Sequence, residues 1–474
     1  IIFFLISVLL LLLSNKDYRK IQFNILLFSA GLYIFYSDFI DESFVNPRMS
    51  YILNNHLSLS FFENFKNQAT VDILQTIISA PFFKTTSSIT LSYYIVHLFL
   101  TLVVVFYFVK IIPQEELKQK KNILFNLIIL FLSFNFFKSS SSGLGLNLMS
   151  IFVFFSIYCF YKKNIFFHKL SYSLLPLIRP DGILYAGIFV ISNIVHEKKI
   201  DLKPIFLSIL SFGLYFLIVN FYYDQWPPPP MAFKSFPISS MFENIQDPLK
   251  YFEILVFIKD HLFQLFVICF FALFFMFKFG FNLNLYKNFL SIYIFELSLF
   301  LGFIGILLFY NFLSYHQHGD FRYTMIVTMF LSLITLRIII ISKIFKKKYL
   351  VLLTSVAITH LYFGLSNLEY IFSNKKIAQN TLFESYKFAA MKLKDLKIEK
   401  KIKIASVEMA TFPFYLERDV SDLYGYSNLD ISKSNLCNFY DSKINPDYIK
   451  EEKPDLIFER ALPNIYFKLL NKNE

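Results

Sequence analysis

The sequence predicts an all-α polytopic membrane protein with about 11–12 transmembrane helices and a small C-terminal α/β domain. Of its 474 residues, 56% are hydrophobic and only 17% are charged, whereas soluble domains carry about 25% charged residues. Long apolar runs recur through residues 1–368, and a run of this kind can cross a hydrocarbon core of about 30 Å. The remaining segment, 369–474, is polar and has mixed helix and strand patterns.

The predicted transmembrane helices are the apolar runs between short polar connections. We place them at about 1–14, 21–37, 91–109, 122–137, 143–161, 165–178, 182–195, 204–220, 262–277, 289–313, 323–341 and 349–368. The two runs on either side of RPDG are short, so they form either a re-entrant pair or two tilted helices. The sequence begins inside an apolar run, and we interpret residues 1–14 as a truncated span or a signal-anchor remnant.

The distribution of Lys predicts the orientation of these helices. The net charge is +12, and the Lys residues are concentrated in the connections NKDYRK, KIIPQEELKQKKN, YKKN, HEKKIDLK, KFGFNLNLYKN and KIFKKK. Basic connections remain in the cytoplasm, so we expect a multi-pass protein of the plasma (inner) membrane and no nucleic-acid partner. The alternating connections then face outward, including the loops 38–90 and 221–261.

The C-terminal segment, 369–474, is predicted to face outward as well. The apolar spacing of KIAQNTLFESYKFAAMKLKDL predicts a helix, and KIKIASV and DLIFE have the patterns of strands. Cys437 is the only Cys in this segment, so no internal disulfide stabilises it. We therefore expect a small extracytoplasmic α/β domain after the transmembrane domain 1–368.

The stretch DESFVNPRMSYILNN places two carboxylates, Asp41 and Glu42, where an apolar run ends and an outward loop begins. One interpretation is a helix cap, because an Asp at a helix start accepts hydrogen bonds from free backbone N–H groups. The other is a general base held where lipid meets water and directed at an acceptor hydroxyl. Arg48 follows Asp41 by seven residues.

Three further outward connections combine charged, aromatic and turn-forming residues. LIRPDGILYA is also typical of an ordinary turn, FYYDQWPPPPMAFKS of an extended proline spacer, and YHQHGDFRYT of an interfacial anchor. Their candidate functional residues are Arg179, Asp181, Tyr222, Tyr223, Lys234, His316, His318, Asp320 and Arg322.

In their order along the chain, these stretches resemble the motifs of GT-C glycosyltransferases, polytopic enzymes that use polyprenyl-phosphate sugars. The acidic pair followed by an aromatic residue and Arg resembles the first outer loop of that family. RPDG resembles its Arg-Pro-acid-Gly turn, and KIASVEMATFPFYLERDVSDLYG resembles its C-terminal acid, Pro-Tyr-Tyr and Asp-Leu-x-Gly sequence. The bacterial arabinofuranosyltransferase-like branch is the most similar. The sequence departs from the family where Gly145 replaces Glu, Ala410 replaces Gly, and a Pro run replaces Asn-Thr.

The resemblance implies transfer of a sugar from a polyprenyl-phosphate carrier to an outward-facing glycan, lipid or protein. Asp41 and Glu42 would be catalytic, and Asp181, Asp320, Tyr222 and Tyr223 would contact substrates. A leaving phosphate requires cationic hydrogen-bond donors, and the outward cations are Arg48, Arg179, Lys234, His316, His318 and Arg322. No nucleotide-binding motif or other cofactor signature is present in the sequence. Binding of a divalent cation by the acidic pair is left as an alternative.

Three other functions are compatible with parts of the sequence. A lipid-linked oligosaccharide ligase or polymerase would share the outward site but would use a pyrophosphate donor. A transporter or flippase would need ionisable residues deep in its spans, and only Glu296 is clearly within a predicted span, toward its inner third. A non-catalytic surface scaffold is favoured by the departures at Gly145 and the Pro run.

Overall fold

The structure is a computed structural model of the 474-residue chain. It describes residues 45–56, 58, 72–85, 89–111, 146–223, 265–269, 283–313, 326–327, 330–335, 386–396, 401–407, 411–423 and 446–458. These residues are 80% helical with few strands, which agrees with the prediction of a helical fold.

Ten helices precede the C-terminal segment in the described part of the chain. They are α1 Val45–His56, α2 Ile73–Ser79, α3 Phe82–Thr85, α4 Ile89–Ile111, α5 Asn147–Tyr161, α6 Ile165–Ser173, α7 Leu175–Ile178, α8 Gly182–Glu197, α9 Leu202–Tyr223 and α10 Leu283–Leu313. Residues 265–269 and 330–335 are also helical.

Five predicted apolar runs coincide with α4, α5, α8, α9 and α10, which confirms them as helices. The run 165–178 instead divides at Leu174 into α6 and α7. Pro176, near the start of α7, has no backbone N–H to continue the hydrogen bonds of α6, so the break has a local cause. The runs 1–14, 21–37, 122–137 and 349–368 lie outside the described residues.

Among the described residues, α9 is the one helix long and apolar enough to cross a membrane. Its 22 residues extend roughly 33 Å at 1.5 Å per residue. Apart from Lys203 in its first turn, the large side chains it exposes are apolar, including Phe206 and Phe221, whereas Ser208 and Ser211 are buried. Shorter apolar helical stretches occur at Ile95–Phe108, Asn147–Tyr161, Ile165–Ile178, Gly182–Glu197 and Tyr293–Phe309. The predicted number of spans remains a prediction.

The main hydrophobic core lies between α4, α5, α8 and α10. Phe108 and Phe154 meet edge to face, and Phe160 stacks on Phe295 with 3.7 Å between ring centroids. Phe303 of α10 contacts Phe189 of α8 in the same core. Because the core side chains are large and aromatic, each interhelical contact buries a large apolar area.

The C-terminal segment contains a three-stranded parallel sheet in the order β2-β1-β3. The strands are β1 Ile404–Ser406, β2 Ser421–Asp422 and β3 Leu456–Phe458, and the nearby helices are α11 Thr411–Leu416, α12 Pro446–Glu452 and residues 386–395. Ala405 pairs with both Ser421 and Ile457. The strands predicted in KIKIASV and DLIFE are therefore confirmed.

A second hydrophobic core joins this sheet to the helix bundle. Its members come from the outward-predicted ends of α1, α2, α7 and α9 as well as from α11 and the strands. Tyr215, Val219 and Tyr223 of α9 pack in the same cluster as Phe412 and Ile404. The described C-terminal elements therefore pack directly on the ends of the helices.

Candidate functional site

Arg179, in the RPDG turn, forms a buried ion-pair cluster with two carboxylates. Its Nη1 donates to Asp72 Oδ1 over 2.7 Å, and its Nε and Nη2 donate to the two oxygens of Asp181 over 2.9 and 3.4 Å. Arg179 is 8% exposed and Asp72 is 5% exposed. The fork geometry of the guanidinium matches the Asp181 carboxylate. The cluster thus joins the RPDG turn to the first outer loop, 38–90.

The local backbone explains how the turn presents Arg179. Arg179 has an extended conformation after α7, and the chain re-enters a helix at Gly182. A Cβ atom at Gly182 would overlap the backbone carbonyl of Leu175. Glycine therefore allows α8 to begin directly against α7, and this close packing positions the turn between them.

Hydrogen bonds accepted by residues of α2 connect this cluster to two more outward-predicted elements. Ser50 Oγ in α1 donates to the carbonyl of Thr76 over 3.0 Å, and the backbone N–H of Leu148 in α5 donates to Gln75 Oε1 over 3.4 Å. Gln75 and Ser150 are buried, and Gln75 Nε2 and Ser150 Oγ have no hydrogen-bond partner in the described structure. We call Ser50, Asp72, Gln75, Arg179 and Asp181 the outer polar cluster.

Arg48 lies beside this cluster and connects α1 to the C-terminal segment. Its guanidinium donates to the carbonyl oxygens of Pro413 and Arg418 over 2.7 and 2.9 Å. It also pairs with Asp419 Oδ1 at 3.5 Å. Arg48 is 4% exposed, so these oxygens, rather than water, solvate much of its charge.

Tyr222 and Tyr223 pack in the second hydrophobic core at the end of α9. Their ring centroids are 4.9 Å apart in an edge-to-face arrangement. Tyr223 is buried, and its hydroxyl has no hydrogen-bond partner among the described residues. Both rings therefore contribute to packing where the structure describes them.

The structure brings together some of the predicted site residues. Arg48, Arg179, Asp181, Tyr222 and Tyr223 lie at the same end of the bundle, in or next to the outer polar cluster and the second core. The others, Asp41, Glu42, Lys234, His316, His318, Asp320 and Arg322, lie outside the described residues.

Sequence reasoning missed Asp72 and Asp419, the carboxylate partners of the two arginines. Asp72 immediately precedes α2, which is typical of a helix cap, yet its side chain makes no capping hydrogen bond. An acid in the first outer loop was the available signal, but nothing local in the sequence connects it with an arginine 107 residues later.

A second polar group lies at the other end of the described helices. His168 is buried between Ser156 and Asn193, and Asn193 also donates to Tyr172. Nearby, Lys169 pairs with Glu197 and Asp201. These hydrogen bonds hold α5, α6 and α8 together, and the ion pairs of Lys169 join α6 to the connection HEKKIDLK, which is predicted to be cytoplasmic.

Glu296, the ionisable residue predicted within a span, belongs to the same end. Its Oε1 accepts a hydrogen bond from the hydroxyl of Tyr161 over 3.1 Å. Tyr161 is the last residue of α5, beside the basic connection YKKN. This hydrogen bond gives Glu296 a structural partner within the helix bundle.

No family model, no curated protein and no solved structure matches this chain. Within the described residues, no group of three or more His, Cys, Asp and Glu side chains is arranged to hold a metal ion. The acidic pair considered for a divalent cation lies outside those residues.

Proposed function

We propose that this protein is a multi-pass membrane glycosyltransferase of the GT-C type. It transfers a sugar from a polyprenyl-phosphate carrier to a glycan, lipid or protein on the extracytoplasmic side of the plasma (inner) membrane. The observation that carries this proposal is the outer polar cluster. There the RPDG turn and the first outer loop meet through a buried ion pair, although they are far apart in sequence.

The distribution of side chains supports a location in the membrane. Several helices expose large apolar side chains, including Phe99, Phe206, Phe221 and Leu301, and bury polar ones such as Ser156 and Asn193. Helices in a bilayer commonly use small and polar residues where they contact one another. The same pattern on a water-exposed bundle would leave an extensive apolar surface hydrated.

The candidate residues have different roles in this proposed function. Arg179 and Arg48 are paired with carboxylates, so in this proposal they hold the outer segments at a fixed depth. Donor phosphate would compete with Asp72 for Arg179. Lys234, His316, His318 and Arg322 supply the remaining cationic hydrogen bonds to the leaving phosphate. Asp41 deprotonates the acceptor hydroxyl, and Glu42 raises the basicity of Asp41 by like-charge repulsion.

A transfer assay with purified protein and a polyprenyl-phosphate sugar tests this function, with carrier and products measured by mass spectrometry. We expect Asp41→Asn to fold normally and to lose about a hundredfold or more of the rate, as is usual when a general base is removed. Because Asn caps helices as well as Asp, a capping role predicts near-normal turnover. Glu197→Gln, at the opposite end, is the control. Near-normal turnover of Asp41→Asn would eliminate the catalytic role.

A further inference from the structure

The turn that follows α11 is shaped to receive the side chain of Arg48. Pro413 lies within α11, and its carbonyl accepts both the N–H of Glu417 and Nη1 of Arg48. Carbonyl groups in the last turn of a helix carry partial negative charge, which favours a cation there. The carbonyl of Arg418 and the carboxylate of Asp419 also contact the guanidinium.

The turn is itself braced against the sheet. Glu417 adopts a positive φ of 57°, the left-handed conformation that ends many helices. Arg418 donates from Nη2 to the carbonyl of Ile402, just before β1, over 2.6 Å. The turn that supplies these oxygens is therefore attached to the sheet. Movement of α1 would break its hydrogen bonds to this turn, so the turn and the sheet resist such movement.

Apolar contacts extend the same connection to the ends of two further helices. Met49 and Leu53 of α1, Leu177 of α7 and Tyr223 of α9 pack in one cluster with Phe412 of the C-terminal segment. Each of these helices borders a candidate motif in the sequence. Asp41 precedes α1, Arg179 follows α7, and the stretch that leads to Lys234 follows α9. The three helices that border these candidate motifs are therefore packed together in one apolar cluster.

We propose that Arg48 is a positioning residue: it couples α1 to the C-terminal sheet and thereby fixes the helix that directly follows the acidic pair. The inference rests on the proposed glycosyltransferase function. It assigns Arg48 to internal bonds rather than to the donor phosphate. Loss of the coupling then lowers kcat, because the acidic pair is misplaced, and leaves the KM for the lipid-linked donor nearly unchanged.

The test compares four variants of the full-length purified protein in detergent with the wild type. Arg48→Ala removes the coupling, Arg48→Lys retains the charge without the planar fork, and Asp419→Asn removes the carboxylate charge. Lys394→Ala is the matched control, because Lys394 pairs with Glu417 in the same turn but both side chains are about half exposed. Hydrogen exchange of peptides 45–56 and 411–423 reports the coupling, and steady-state kinetics with the lipid-linked donor reports its effect.

We expect Arg48→Ala to accelerate exchange in both peptides together, by about tenfold to a hundredfold as for the loss of a charged hydrogen bond, and to lower kcat. Arg48→Lys and Asp419→Asn should show smaller effects of the same kind, and Lys394→Ala should match the wild type. If Arg48→Ala does not accumulate, the two milder variants decide the outcome.

Two results would overturn the inference. One is unchanged exchange in both peptides of the Arg48 variants. The other is an increase in donor KM at constant kcat, which would make Arg48 a ligand of the donor phosphate. If the wild type transfers no sugar at all, the proposed function fails, whereas the exchange data still establish or refute the coupling between α1 and the sheet.

Discussion

Replacement of Arg179 by alanine is expected to destabilise the protein by about 3–5 kcal/mol, the range found when one partner of a buried ion pair is removed. The structure places this side chain within 2.7 Å of Asp72 and 2.9 Å of Asp181. With Asp72 only 5% exposed, its carboxylate cannot regain full hydration after the guanidinium is lost. Two neighbouring carboxylates would then remain without the intervening positive charge, and their repulsion adds to the cost.

The size of the pair interaction follows from a double-mutant cycle. Arg179→Ala, Asp72→Ala and the double variant should show a coupling energy of about 0.5–3 kcal/mol, the range found for residues in one ion-pair network. Arg179→Lys should fall between the wild type and Arg179→Ala, because an ammonium cannot bind both carboxylates with the same fork.

The assay is equilibrium unfolding in mixed detergent micelles, monitored by far-ultraviolet circular dichroism. Lys169→Ala is the control: it removes ion pairs at the opposite end whose side chains are partly exposed, and such pairs contribute about 1 kcal/mol or less. Two results together would refute a stabilising role for the outer polar cluster. Arg179→Ala would be no more destabilising than Lys169→Ala, and the free-energy changes of Arg179→Ala and Asp72→Ala would add up to that of the double variant.

Two further predictions concern the turn and the opposite end of the bundle. Gly182→Ala should lower the free energy of unfolding by about 1–3 kcal/mol, because the added Cβ overlaps the Leu175 carbonyl. Gly187→Ala, where a Cβ meets no atom within 4 Å, should be neutral or stabilising by up to about 1 kcal/mol. Equal effects of the two variants in the same unfolding assay would contradict the overlap. The hydrogen bond from Lys169 lowers the pKa of Asp201 below its ordinary value of 3.8, so the stability from this pair should be present above pH 3.8 and lost as the pH falls through the lowered pKa. The unfolding midpoints of wild type and Asp201→Asn should therefore converge in that acidic range, and a constant difference down to the lowest pH would exclude the linkage.

Helix positions were predictable from the sequence because they depend on local patterns. The length of an apolar run and the residues that flank it are local properties that favour a helix over a strand, so α4, α5, α8, α9 and α10 were predicted close to their observed bounds. The strands in KIKIASV and DLIFE were also predictable from local patterns. The division at Leu174 was missed, although Pro176 provided a local signal for it.

Several charged residues at the ends of apolar runs were also recognisable from the sequence, because they interrupt an otherwise apolar pattern. Arg48, Arg179 and Asp181 were identified in this way, and the structure places them together at one end of the bundle. Their proposed role in binding phosphate remains a prediction. Other predicted members of the site, such as Lys234 and Arg322, lie outside the described residues.

Only the tertiary structure decided the partners of these residues. Arg179 meets Asp72 across 107 positions, and Arg48 meets Pro413 across 365 positions. Pairings of this kind depend on how helices pack and on where the chain returns, and no local pattern encodes them. By itself the sequence determined the helical, apolar character of the chain, because hydrophobic periodicity acts over a few residues. The tertiary structure decided that the C-terminal sheet packs against the ends of those helices. The physical reason is that this packing depends on contacts between residues far apart in the chain, such as those of Arg48 with Pro413, Arg418 and Asp419.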